Sequence, residues 1–188
     1  MDSLDFAWLT ADHWSAFERL FGARGACEGC WCMYHRLLAA EYKPNRGENN
    51  RAAMMALVER GAQPGILGFH EGQAVGWVSV SPREAFPRLD KSRVAKPFDD
   101  QAVWSVTCLF VAKEMRRKGV SVALLRAAIG FVKARGGRIL EGYPIIPKKD
   151  SVPPVFAFPG LISAFHAAGF RTCAQRSETR ALVRYDLV

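Results

Sequence analysis

The residues best placed by type and spacing to do chemistry lie in the stretch Val106-Thr-Cys-Leu-Phe-Val-Ala-Lys-Glu-Met-Arg-Arg-Lys-Gly-Val-Ser121. An apolar run ending at Val111 enters a turn that carries Arg116, Arg117, Lys118 and Gly119, and a periodic helix begins at Val120. The first N–H groups of a helix have no intrahelical acceptor, and the helix dipole is positive there. Such a turn therefore favours an anion of the phosphate or pyrophosphate class. Taken alone, a glycine-basic turn is a weak signal and must be read with the elements around it.

A second group is Cys27-x2-Cys30-x-Cys32 followed by His35. Zinc is one reading, but no second Cys/His pair follows at longer spacing, and a one-residue gap closes a tetrahedron poorly. Reduced thiols packed beside Trp31 and Met33 suit the spacing better, redox chemistry is a third reading, and no metal is expected. Five cysteines without a secretion signal do not suggest a disulfide framework.

Local patterns supply the elements that must position these residues. Leu4–Leu9 reads as a strand, and Thr10 precedes a helix in which Trp14, Phe17 and Phe21 recur at helical spacing up to Gly22. Residues 27–38 read as turning into a helix through Met33, Tyr34 and Leu37. Residues 49–60 read as a further helix with Asn49 or Asn50 as its N-cap. Gly65–His70 and Ala74–Val80, separated by Glu71-Gly72-Gln73, form a hairpin, and a charged connection over 81–100 contains Pro82, Pro87 and Pro97. Ala102–Val111 is the strand before the turn. Val122, Leu125, Ile129 and Val132 mark one stripe of the helix Val120–Arg135. A short strand, Arg138–Tyr143, is parallel to the preceding one if the crossover is right-handed. The proline-rich loop Pro144–Gly160, a short helix Leu161–Ala168, and the antiparallel pair Phe170–Gln175 and Arg180–Leu187 complete the chain.

At 188 residues and 49% hydrophobic content, one domain over residues 1–188 with a single good core is expected. No apolar run approaches the roughly 20 residues of a membrane span, and Met1-Asp2-Ser3 lacks the layout of a signal peptide, so a cytoplasmic protein with no membrane partner is expected. The net charge of +8 is uneven: residues 1–100 hold 12 Lys/Arg against 13 Asp/Glu, and residues 101–188 hold 14 against 5. A nucleic-acid binder or an enzyme that holds a phosphorylated cofactor could each produce this asymmetry, and the basic residues at the turn favour the second. Arg171, Arg176, Arg180 and Arg184 read as solvated strand-face residues.

Val111, Arg116, Gly119 and Ser121 follow the spacing V-x4-R-x2-G-x-(G/A), with serine where glycine or alanine is usual. Together with Ala164-Phe-His-Ala-Ala-Gly-Phe170, and with the order of elements, this resembles the GNAT superfamily of N-acetyltransferases from end to end. Cys30-Trp-Cys-Met33, Val75-Gly-Trp-Val78 and Glu141-Gly-Tyr-Pro144 resemble a poorly characterised bacterial branch of that superfamily, which names no substrate. The resemblance implies an α/β (α+β) fold: a mixed central sheet of about seven strands with a splayed parallel pair and helices on both faces. It also implies acetyl-CoA as co-substrate, a small-molecule or peptide amine as acceptor attacking the thioester directly, and no nucleic acid. Many relatives pair as dimers, so a homodimer is compatible with it.

On the resemblance, Leu109, Phe110 and Val111 offer backbone groups to pantetheine, and a free N–H there polarises the acyl carbonyl. Arg116, Arg117, Lys118, Gly119, Val120 and Ser121 hold the pyrophosphate. The family's usual general acid is the tyrosine four residues before that Gly-Phe pair. Here the position is Phe165, which can line the pantetheine tunnel but has no proton to give. A thiol of pKa about 8.5 leaves at neutral pH at a penalty of about 2 kcal/mol, which solvent or another hydroxyl can cover. Tyr143 and Ser163 are the candidates, each with a structural alternative. Glu141, at the end of its strand, is the first candidate for the base that an alkylammonium needs; a salt bridge to an arginine is its alternative. His35 and His166 are further options for the base. Trp31, Cys32, Trp77 and Trp104, with Phe110, could line an acceptor pocket or pack in the core.

Overall fold

The computed structural model describes residues 4–148, 152–153 and 156–187. Its strands are β1 (Asp5–Trp8), β2 (Gly65–His70), β3 (Gln73–Pro82), β4 (Trp104–Val111), β5 (Ile139–Gly142), β6 (Arg171–Ser177) and β7 (Arg180–Asp186). They form one seven-stranded sheet in the order β1-β2-β3-β4-β5-β7-β6. Among the described residues each neighbouring pair is antiparallel except β4 and β5, which run parallel as the connection through α4 between them led one to expect. The helices are α1 (Trp14–Phe21), α2 (Ala39–Tyr42), α3 (Glu48–Glu59), α4 (Val120–Ala134) and α5 (Ile162–Ala167). None is long and apolar enough to cross a membrane.

Alternation along the strands divides the apolar residues between two cores. Ile66, Val78, Val80, Val106, Leu109 and Leu140 face α4 and α5. Leu67, Trp77, Cys108 and Phe110 face α1 and α3, where Phe17 and Met54 are fully buried. The α4 stripe is rotated from the expected one: Val120, Leu124, Leu125, Ala128 and Val132 are buried, whereas Val122 and Ile129 are only half-buried. Glycine notches in the sheet set this rotation. A Cβ at Gly76 would meet Leu124 at 2.9 Å and Val120 at 3.0 Å, so the missing side chain is the seat of those two. Ile66 lies in this core with no exposure, and Ile66→Val should destabilise by about 1 kcal/mol, read as a Tm lower by roughly 2–4 °C in thermal denaturation.

Between β3 and β4 the register shifts, with Ser79 opposite Cys108 and Val80 opposite Val106, so that Thr107 is an extra residue on β4. A bulge of this kind reverses the alternation beyond it. Val106 and Leu109 therefore face the same core, and Thr107 and Cys108 fall on the other side.

Two expectations fail between α1 and α3. Residues 27–38 do not become a helix: Ala26, Glu28, Trp31 and Cys32 have positive φ, and the short α2 starts only at Ala39. Burial of the Trp31 ring causes this, because the ring lies over Gly25, where a Cβ would come within 2.4 Å of it, and stacks on Phe21. Helix α3 starts at Glu48 after Gly47 (φ 88), and neither Asn49 nor Asn50 caps it. The buried Asn50 amide instead donates to the Gly29 carbonyl (3.1 Å), fastening the 25–32 loop to α3.

Candidate active site

The basic turn has the local structure that its sequence implies. Arg117 (φ 61) and Gly119 (φ 78) are both left-handed, no side chain caps α4, and Arg116, Arg117, Lys118 and Gly119 are exposed. Left-handed residues bring successive N–H groups to one side, making a concavity for an anion in front of the helix. A Cβ on Gly119 would meet nothing within 4 Å, so the space before the helix is open. Arg116 is anchored by Nε, which donates to the Val111 carbonyl (3.1 Å) at the end of β4.

Beside the turn, β4 and β5 separate. They pair only at Trp104 with Leu140, Ser105 with Glu141 and Val106 with Gly142. Past this point, in the Leu109–Val111 segment where a free N–H was expected, the Leu109 N–H donates to the Phe158 carbonyl at 2.7 Å. On the other side of the same segment the Ile145 N–H donates to the Gly160 carbonyl (2.9 Å). Phe165 sits at this gap with no exposure, packed on Gly142, Gly160 and Phe170, as part of the α4-side core.

The expected acid and base are brought together, but inside a closed network. Glu141 is fully buried, accepts from Arg184 Nε (2.7 Å) and from the Tyr143 hydroxyl (2.7 Å), and lies 3.5 Å from Arg83. Tyr143 also accepts from Arg83 (2.6 Å) and shares a hydrogen bond with Ser105 (2.9 Å). Burial, reinforced by the Glu141 carboxylate, pushes the Tyr143 phenol far above its ordinary range. The salt-bridge alternative is therefore the one observed for Glu141. Arg184, expected on a solvated strand face, is 3% exposed and also holds Asp99 at 2.6 and 2.8 Å. A cavity of about 320 Å³ borders this network, lined by Arg83, Glu84, Asp99, Gln101, Glu141 and Arg184. Arg83, Asp99 and Ser105 were not singled out from the sequence; the only signal for Arg83 and Asp99 was the density of charge in the 81–100 connection, and Ser105 in β4 had none. Ser163 is exposed on α5, and His166, also exposed, bonds Thr172 (3.0 Å).

Of the expected acceptor residues, Trp31, Cys32, Trp77 and Phe110 come together on the α1 side, whereas Trp104 lies in the core on the opposite face, near Gly137. The cluster is packed: Trp77 has no exposure and meets Phe17 edge-on at 4.9 Å. The Trp77 indole donates to Cys32 Sγ (3.1 Å). A hydrogen bond from the Cys108 thiol, working against burial and helped by Trp77 and Arg36, holds the Cys32 thiol down at about 7. Among the described residues no group of three or more His, Cys, Asp or Glu side chains is arranged to hold a metal ion. His35 lies at the edge of the gap, its ring 6.1 Å from that of Phe158 and its Nδ1 buried without a partner. Burial, then the charges of Arg88, Arg180 and Arg36, hold its imidazole down at about 3, so it is neutral.

With the basic left-handed turn set between β4 and α4 beside the splayed parallel pair, the sequence profile of the Acetyltransferase (GNAT) family matches residues 31–142. The chain belongs to the GNAT acetyltransferase family. The matched span of this GNAT domain runs from Trp31 to the end of β5, so it contains the turn and both splayed strands. Solved structures agree in fold over nearly the full length. An N-acetyltransferase from Staphylococcus aureus Mu50 is 15% identical, with a TM-score of 0.58 and all of both chains covered. The GNAT-family acetyltransferase of Streptococcus pneumoniae is 11% identical, with a TM-score of 0.57, covering 99% of this chain and 100% of that one. The PaiA N-acetyltransferase from Thermoplasma acidophilum, in complex with coenzyme A, is 12% identical with a TM-score of 0.55, covering 98% and 99%. No curated protein matches the GNAT chain by sequence search.

Proposed function

We propose that this GNAT protein is an acetyl-CoA-dependent N-acetyltransferase that passes acetyl to a primary amine of a small molecule or peptide by direct attack in a ternary complex. The observation that carries the reading is the open, uncapped N-terminus of α4, flanked by Arg116, Arg117 and Lys118 and set at the end of β4, where β5 has turned away. These residues fit a pyrophosphate: the turn offers backbone donors, positive charge, and space at Gly119 for a bulky anion. When bound, acetyl-CoA supplies an activated acetyl group as a thioester.

The chain's own residues then have distinct tasks. Arg116, Arg117, Lys118 and the N–H groups of Gly119 to Ser121 bind the phosphates. The Leu109 N–H, on the gap side of β4, is the donor assigned to the acyl oxygen. Glu141 and Tyr143 support the strand ends through their ion network and do not move the amine's proton, since the carboxylate is already shared between two arginines and a phenol. Phe165 leaves the departing thiolate to solvent.

Turnover of acetyl-CoA with amines of several classes (polyamines, aminoglycosides, amino acids and peptides), followed by release of free thiol, tests the reading. Thiol release that depends on one amine class supports it. Tight cofactor binding with no release for any amine would favour a second reading, a CoA-binding protein without catalysis, for which the buried Phe165 is the motive. Arg116→Ala should weaken acetyl-CoA binding about threefold to fivefold, because one partly screened charge at a phosphate is worth about 1 kcal/mol, and binding should also lose part of its salt dependence in calorimetry.

A further inference from the structure

We infer that Phe158–Gly160 is an internal surrogate for the cofactor: it lies in the gap between β4 and β5, its carbonyl on the Leu109 N–H, and it must leave before acetyl-CoA can bind there. The inference rests on the proposed acetyltransferase reading and concerns how the same site is controlled.

The segment is bonded on both sides, as an added strand would be. Leu109 donates to the Phe158 carbonyl (2.7 Å) from β4, and Ile145 donates to the Gly160 carbonyl (2.9 Å) from the chain that follows β5. Ile162 N–H then returns to the Ile145 carbonyl (3.0 Å), which ties the start of α5 to the same edge. The fit is close. Gly160 has φ +85, and a Cβ there would meet both Leu109 Cδ1 and Phe165 Cε2 at 2.7 Å. One amide N–H cannot be fully satisfied by two carbonyls along the same direction, so the Phe158 carbonyl and a thioester carbonyl compete for Leu109.

The Phe158 side chain, half-buried, packs against the segment before α2. Its ring meets Tyr34 at 5.6 Å, nearly perpendicular, and His35 at 6.1 Å. Withdrawal of Phe158 would therefore free the Leu109 donor and remove the ring that packs against Tyr34 and His35. A protein that binds only in its open state shows an affinity reduced by the open fraction, so loosening the segment must tighten binding.

Two variants test this in the full chain: Phe158→Ala, which removes the ring from Tyr34 and His35, and Gly160→Ala, which forces a methyl against Leu109 and Phe165. In the cofactor-free proteins the Leu109 amide should exchange with deuterium at least about tenfold faster than in the wild type, because the closed population falls. By calorimetry both variants should bind acetyl-CoA tighter by about the same factor, because exchange and affinity both scale with the open fraction. Faster exchange with unchanged or weaker affinity in both would overturn the inference while leaving the cofactor site intact, and so would unchanged exchange in both. Absence of acetyl-CoA binding to all three proteins would overturn the inference together with the acetyltransferase reading on which it rests.

Discussion

Arg184→Ala is expected to lower the unfolding free energy by about 3–5 kcal/mol and the Tm by roughly 10 °C. The side chain is 3% exposed and spans two carboxylates, donating through Nε to Glu141 (2.7 Å) and through its terminal nitrogens to Asp99 (2.6 and 2.8 Å). Asp99 is near the surface and can return to water. Glu141 has no exposure and cannot, so its charge would be left with Arg83 at 3.5 Å and the Tyr143 hydroxyl. Breaking one side of a buried pair costs more than the pair contributes, because the remaining charge keeps its desolvation penalty. Thermal denaturation with circular dichroism reads the effect, and a Tm change below about 2 °C would show that water reaches Glu141. Glu141→Gln separates structure from catalysis: a general base would lose about 100-fold or more in kcat at nearly unchanged Tm. The ion network predicts the reverse, a lower Tm with kcat per folded molecule nearly intact.

The parts of this site that were legible in the sequence are those that local rules control. The turn could be placed because strand, glycine, basic residues and helix follow one another within the sixteen residues from Val106 to Ser121. The parallel arrangement of β4 and β5 followed from a helix between two strands and the usual hand of such crossovers. The parts that were not legible depend on pairings between distant residues. Arg184 and Asp99 are 85 positions apart, and nothing near either residue marks the other as its partner. The 27–38 segment misled for a different reason: Trp31 and Cys32 adopt φ 42 and 60, which only the burial of their side chains against Gly25, Phe21 and Trp77 makes favourable. The Thr107 bulge decides whether Leu109 or Cys108 faces the α4 core, and a strand of residues that all suit either face does not announce it.

These cases bear on how the site is divided. The proposed binding groups, at the turn and on the β4 backbone, come from local structure, whereas the candidates for proton transfer are set by long-range packing. Phe165 belongs to the second kind. Its ring fills the space above Gly142 and Gly160, where a Cβ would come within 2.3 and 2.7 Å of it, so both glycines and the phenylalanine form one packed unit. A hydroxyl added there would enter a buried apolar contact and would need a partner.

Gly119→Asp should weaken acetyl-CoA binding at least about tenfold, equal to 1.4 kcal/mol, with little change in folding. The position is left-handed (φ 78), which costs most residues about 1 kcal/mol, although aspartate tolerates it better than most. Its Cβ would meet nothing within 4 Å, so no clash follows, and a carboxylate at the N-cap of α4 stabilises the helix by about 1 kcal/mol, offsetting the backbone strain. The same carboxylate would occupy the N–H groups that the phosphates need and would repel them. Two unit charges 4 Å apart near a protein surface repel by about 4 kcal/mol, so even strong screening leaves the tenfold loss. Gly119→Ala supplies the control, since it adds the strain without the charge and should change affinity by no more than about threefold. Calorimetric titration of both variants decides the matter, because a folded aspartate variant that binds acetyl-CoA as the wild type does would mean that the phosphates lie elsewhere.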